Sequence, residues 1–198
     1  MRGLIGVVVL LLVADVYADA AVDVCYNYGC AAQTSVTFST ERLLEVAVLL
    51  SRANSPTAER ALLGQALGRL YAWAGEQSPI ASDRHGNYAD DGVEGRMDCI
   101  DHSLTTTRML ELLADRGLLR WHRVVERERR VRGLVFQHFS AVIEEVPGPS
   151  AAGSVYDPSA AVGAAHRFAV DSWFVDNGQP AVILPLAAWL DGEGLDVE

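Results

Sequence analysis

The stretch GRMDCIDHSLTTTRML, Gly95 to Leu110, turns a polar, glycine-bearing segment into a helix and sets a cysteine at the turn. Asp98 is a good N-cap, because its short carboxylate accepts the free N–H groups of a first helical turn. Cys99 is then the first helical residue. Ile100, Leu104, Thr107, Leu110 and Leu113 or Ala114 share one side of a helix that runs to about Arg116, with Gly117 as its left-handed stop. A sulfur at the start of a helix meets unpaired N–H groups and the positive end of the helix dipole, which favour the thiolate. The charges of Asp98 and Asp101 oppose that effect.

Upstream, two further helices are expected. STERLLEVAVLLSRA offers Ser39 or Thr40 as cap and puts Leu43, Val46, Ala47 and Leu50 at helical spacing. SPTAERALLGQALGRLYAWAG opens with Ser55 as N-cap and Pro56 at the first helical position, and Gly75 is its expected C-terminal stop. Gly64 and Gly68 within it are expected to admit a close neighbour. Residues 76–97 form a polar connector, and a long loop that leads straight into Cys99 favours a functional role. Downstream the period changes. LLRWHRVVE, GLVFQHFSAVIEEV and HRFAVDSWFV are rich in Val, Phe and Trp and are expected to be strands. The arginine-rich piece from Arg120 to Arg132 suits an exposed hairpin edge, and Pro147 to Ala165 an insertion between two strands. Helices followed by strands give an α+β class, with N-terminal helices packed on an antiparallel sheet.

The N-terminus carries the pattern of a secretory leader: Arg2, then an apolar run from Leu4 to Val13 broken only by Gly6, then cleavage candidates after Ala18 or Ala20. The run is shorter than the ~20 apolar residues a bilayer span needs. The expectation is a leader over residues 1–20 and one domain over 21–198, periplasmic or secreted, with no stable membrane anchor after cleavage. Export makes a close cysteine pair more apt to be bridged than reduced. Cys25 and Cys30 in CYNYGC are such a pair, leaving Cys99 as an odd thiol of the kind kept for reactivity or for an intermolecular bond.

The chain has 198 residues and a net charge of −10, which argues against nucleic acid and anionic membranes as partners. All 16 basic residues are arginine, so any mechanism built on a Schiff-base or P-loop lysine is excluded.

A cysteine nucleophile needs a base beside it and a polar group to orient that base. His138 in FQHFSAVIE and Asp171 in FAVDSWF are polar residues in apolar strands, where burial without a partner costs roughly 2–7 kcal/mol. Pairing them removes that cost. Cysteine at a helix start, a helix ended by glycine, a strand, then histidine on one strand and aspartate on a later one is an order that resembles the transglutaminase-like cysteine peptidase superfamily, related to papain. CIDHSLTTTRMLELLADRGLLRWHRVV is similar to that family's run from nucleophile to first core strand, HFSAVIEEV to its histidine strand and FAVDSWF to its aspartate strand. The likeness covers Gly95 to Val175. It implies a transglutaminase/papain-like core and an amidase, peptidase or transglutaminase-like acyl transfer, with Cys99 as nucleophile, His138 as general base and acid, and Asp171 as orienting carboxylate. A peptide or protein amide, cell-wall peptide included, is the implied substrate, and neither cofactor nor metal is implied. The stretch between His138 and Asp171 is longer than the family's usual hairpin, and no glutamine precedes Cys99 to line an oxyanion hole. The Cys99 N–H with a connector donor such as Asn87 is the alternative.

Other assignments stay open on the sequence alone. Asp176 and Asn177 in FVDNG rival Asp171 as third member, although that tripeptide suits a turn. His102, three residues after Cys99, shares its helix face, whereas His85, His122 and His166 have weaker claims. Cys99, His102, His138 and Asp98 could instead ligate zinc. A third possibility is a non-catalytic binding module on a degenerate peptidase fold. Trp73, Trp121, Trp173 and Trp189 are expected in the core or in the walls of a cleft.

Overall fold

The computed structural model describes residues 18–86, 89–132, 136–146 and 166–194. The expected leader up to residue 17, Asn87 and the expected insertion over 147–165 lie outside the described residues. The order of elements is β1 (Ala20–Tyr26), β2 (Ala32–Phe38), α1 (Thr40–Ser51), α2 (Pro56–Gly75), a short 3-10 turn (Pro79–Ser82), α3 (Cys99–Asp115), β3 (His122–Arg132), β4 (Phe136–Glu145), β5 (Arg167–Asp171), β6 (Val182–Pro185) and α4 (Leu186–Leu190). The class is α+β, with four antiparallel strands in the order β3-β4-β5-β6 and a separate hairpin β1-β2.

Caps begin the first three helices where the sequence places them. Ser39 Oγ accepts from Arg42 N, Ser55 Oγ from Ala58 N, and the Asp98 carboxylate from Ile100 N and Asp101 N. Gly117 stops the chain after α3 with a φ of 66°. α2 ends at Gly75, as the sequence places it, and what the glycine supplies there is clearance, since a side chain would meet Asn177 Oδ1 and Ala81. Gly64 and Gly68 act in the same way. A Cβ at Gly64 would stand 2.6 Å from Ala181 O and one at Gly68 2.8 Å from Gln179 O, so the segment entering β6 lies directly on α2.

The hairpin β1-β2 precedes the helices and was not expected. Its strands pair in register from Ala20↔Phe38 to Tyr26↔Ala32. Val22, Val24, Val36 and Phe38 join the core built by α1, α2 and α3. β5 is shorter than the expected strand: it ends at Asp171, whose Oδ1 accepts the Trp173 N–H at 3.2 Å and turns the chain. Among the described residues, no helix is long and apolar enough to cross a membrane.

The sheet is tied to α2 by a buried hydrogen bond to a carboxylate. His122 Nδ1 and Glu59 Oε2 are 2.7 Å apart with both side chains 0% exposed, and Glu59 also accepts the N–H groups of Arg120 and Trp121. Burial alone would raise the Glu59 pKa, but His122 and the two N–H groups outweigh it and hold the group below its ordinary 4.5. Glu59→Ala leaves the buried His122 Nδ1–H and two part-buried N–H groups unmatched. It is expected to cost about 3 kcal/mol in urea unfolding, and the wild-type advantage should be complete well above pH 4.5 and be lost on acidification through that range.

Candidate functional site

Asp98 and Asp101 form a reciprocal cap at the start of α3: Asp98 Oδ1 takes the Ile100 and Asp101 N–H groups, and Asp101 Oδ2 takes the Asp98 N–H at 3.1 Å. Their remaining lone pairs are filled by the loop between β1 and β2. Gly29 N donates to Asp98 Oδ2, while Tyr28 N and Cys30 N donate to Asp101 Oδ2 and Oδ1 at 2.8 and 2.5 Å. Asn27, Tyr28, Gly29 and Cys30 all have φ between 58° and 65°, a left-handed run that turns successive N–H groups toward one concavity and suits an anion. The Cys25–Cys30 disulfide closes that loop, as expected from the spacing. Burial first, and then the charge of Asp98, push the Asp101 pKa up to about 6.

This anchoring places Cys99 against β4. β5 pairs with β4 only over Ala141–Glu144. Beyond the end of that ladder, Cys99 Sγ lies 3.9 Å from Gln137 O and receives the Phe139 N–H, so the sulfur touches the backbone on both sides of His138. The His138 ring packs against Trp173, Phe174 and Trp189 with centroid separations of 4.8, 5.4 and 5.6 Å. Its Nε2 is 2.6 Å from Asp171 Oδ2, which also accepts Trp189 Nε1–H at 2.8 Å. Its Nδ1 is buried and has no hydrogen-bond partner among the described residues. With Nε2–H donating to Asp171, the neutral ring carries its lone pair at Nδ1.

The other two buried histidines differ from His138 in one respect: both nitrogens are engaged. His102 has Asp83 Oδ2 at 2.9 Å on Nε2 and Ser172 Oγ at 2.8 Å on Nδ1, and His122 lies between Glu59 and Arg60. Ser172 also bonds Thr106 and Tyr71, so this closed network fastens the residue after Asp171 to the middle of α3. Asp83 was not expected here. It stands in the polar connector, 19 residues from His102, and no local pattern links them.

The structure therefore brings His138 and Asp171 together and sets the Cys99 sulfur against the same strand. Asp176 instead pairs with the exposed His85, 2.8 Å from its Nδ1, and Asn177 lies beside Gly75. His166 is exposed. Trp173 and Trp189 wall the His138 ring, whereas Trp73 and Trp121 stack with Arg42 and Arg120. The four residues considered for zinc are not gathered: His102 is turned to Asp83 and Ser172. Among the described residues, the cluster with metal-ligand spacing is Cys25, Cys30 and Asp101, and its two sulfurs are bonded to each other.

The thiol's electrostatics run against the expectation from the helix start. Burial pushes the Cys99 pKa up to about 11, the charges of Asp98 and Asp171 add to it, and the N–H groups of Phe139 and Cys99 offset only part. These effects favour the neutral thiol over the thiolate. Reducing Cys25–Cys30, or replacing both by serine, should lower stability by about 2 kcal/mol, the loop-closure value for so short a ring. It should also speed hydrogen exchange at Tyr28, Gly29 and Cys30, a change that amide exchange read by NMR would register. No protein-family model, curated protein or solved structure matches the chain.

Proposed function

We propose that the protein is an exported thiol-dependent acyl-transfer enzyme acting on amides, with Cys99, His138 and Asp171 as its catalytic group on a transglutaminase/papain-like core. One observation carries the reading. His138 holds Asp171 through Nε2 and keeps a buried, unpartnered Nδ1, while the thiol is held against the backbone of the same strand. A buried polar atom without a partner costs free energy, and here it is the free lone pair of a base; Cys99 Sγ, hydrogen-bonded to Gln137 O, makes no hydrogen bond to it in the resting structure, so the Sγ–H to Nδ1 contact has to form on substrate binding.

In the proposed reaction Nδ1 takes the Sγ proton as the sulfur attacks the substrate carbonyl carbon, so a neutral pair reacts and no resting ion pair is needed. Asp171 accepts from Nε2–H and stabilises the imidazolium that forms. Asp98 takes the Ile100 and Asp101 N–H groups, which leaves the Cys99 N–H available for the developing oxyanion. The imidazolium returns its proton to the departing amine, leaving a thioester on Cys99. Water or a second amine then attacks the thioester with His138 again as base, which releases the acyl group and restores the thiol. The disulfide and the leader-like N-terminus support a periplasmic or secreted setting, where peptides and protein amides are the reachable substrates.

A second reading, a binding module on a degenerate peptidase fold, draws on the burial of Cys99, which is 9% exposed. An activated ester separates the two. With p-nitrophenyl acetate, the enzyme reading expects a burst of p-nitrophenol, acetylated Cys99 by mass spectrometry, and a slowing of about 100-fold or more in His138→Gln. Asp171→Asn should also be impaired. Unmodified Cys99, or a rate indifferent to His138, would sink the enzyme reading. In His138→Gln the residual alkylation by iodoacetamide should climb about tenfold per pH unit up to the thiol pKa of about 11.

A further inference from the structure

We propose that Arg127 is a specificity residue that takes a carboxylate of the substrate beside the Cys99 thiol. The inference rests on Cys99 being the acyl-accepting group. It begins with an irregularity in the sheet. β3 pairs Val125 with Val142 and Glu128 with Ser140, so Glu126 and Arg127 together oppose Ala141 alone. Such a bulge re-aims a side chain and is common beside active sites. Here it sends the Arg127 guanidinium to α3, where Nη1 donates to Ser103 Oγ at 3.0 Å. Ser103 is four residues after Cys99 on the same helix face, ~6 Å along the axis. Val125, the residue before the bulge, packs on the apolar cluster that contains Cys99.

The guanidinium's partner is anomalous for this chain. Eight arginines are half-buried among the described residues. Arg42, Arg60, Arg96 and Arg167 face carboxylates. Three more donate to backbone carbonyls. Arg127 alone is satisfied only by a hydroxyl, and that hydroxyl is itself turned to Ile100 O. A guanidinium has five N–H donors in a fork that fits a carboxylate in two parallel bonds. Arg127 borders a groove between α3 and β3 whose lining includes Thr107, Arg123 and the carboxylates of Glu111, Asp115 and Glu126, none of which forms an ion pair with Arg127 among the described residues. Arg123 is already committed to Glu144. In a chain of net charge −10, an uncommitted cation one helical turn from the nucleophile selects a substrate whose carboxylate lies within a residue of the scissile amide: an acidic side chain, or a C-terminal carboxylate.

Two thiol reagents of equal reach and unequal charge test this, bromoacetylglycine and bromoacetylglycinamide. Each alkylates a thiol with loss of bromide, and they differ only in ending in a carboxylate or a neutral amide. Second-order rates of Cys99 modification are read by mass spectrometry for the wild-type protein, Arg127→Gln and Arg127→Lys, with iodoacetamide as common reference. The expected result is a preference for the acid of about tenfold in the wild type, lost in Arg127→Gln and partly kept in Arg127→Lys, with iodoacetamide rates within about twofold throughout. A wild-type rate ratio near one, or a preference that survives Arg127→Gln, would overturn the assignment. The ratio reports on Arg127 and the absolute rate on activation of Cys99, so the two ideas fail separately. If the thiol reacts with none of the reagents, NMR decides: the Arg127 Nε–H signal of the Cys99→Ala protein should shift with N-acetylglycine and not with N-acetylglycinamide. A signal indifferent to both overturns the proposal.

Discussion

Two carboxylates at the start of α3 take six backbone N–H groups: those of Asp98, Ile100 and Asp101 from the helix itself and those of Tyr28, Gly29 and Cys30 from the hairpin loop. Everything near Cys99 depends on that arrangement. It accounts for the four successive left-handed conformations of the loop, at residues of which only one is glycine, because that run points consecutive N–H groups at the two carboxylates. It also explains the disulfide. The left-handed conformations cost free energy at Asn27, Tyr28 and Cys30, and closing the ring from Cys25 to Cys30 removes the extended alternatives that would relieve it. Two adjacent anions are tolerable because each is saturated by donors, and the raised pKa of Asp101 records the repulsion that remains.

The rest of the centre is located from α3 by a second route. His102 stands three residues after Cys99, and Ser172 directly follows Asp171. The bond between them, with Asp83, Tyr71 and Thr106 completing the network, sets the end of β5 relative to the helix start. Each of these polar groups is buried and matched, as interior polar groups must be. Against that background the open Nδ1 of His138 stands out. The same interior that fully satisfies His102 and His122 leaves one nitrogen of His138 unmatched, on the side chain that Asp171 and three aromatic rings hold most firmly.

What was legible in the sequence follows the range of each interaction. Caps act over two or three residues, so Ser39, Ser55 and Asp98 reveal their helices, and the five-residue spacing of Cys25 and Cys30 reveals the bridge. The pairs that hold the site span far more chain: 33 residues from His138 to Asp171, 63 from Glu59 to His122, 70 from His102 to Ser172. His138 and Asp171 could still be matched, because each is a polar residue in an apolar strand. Glu59 sits in an ordinary amphipathic helix and Asp83 in a loop full of polar residues, and neither is locally anomalous. The hairpin β1-β2 escaped for a different reason. Its strands are short and flank a cysteine loop directly after a leader-like segment, so the alternation of Val22, Val24, Val36 and Phe38 is brief on each side of the turn.

The raised pKa of Cys99 fits the proposed setting better than a low one would. Thiolates, not thiols, exchange with disulfides and react with oxidants. A compartment oxidising enough to keep Cys25–Cys30 closed would consume an exposed thiolate that was always present. In the proposed reaction, burial against β4 with Asp98 and Asp171 nearby would keep Cys99 protonated until a substrate carbonyl is in place and Nδ1 takes the proton. The cost is a slower attack than a preformed ion pair would give, and the orienting bond from Asp171 offsets part of it by holding the base in one tautomer. A centre of the proposed kind depends on accurate placement more than on a nucleophilic resting state, and the buried hydrogen bonds at the start of α3 and the end of β5 are the constraints that would supply it.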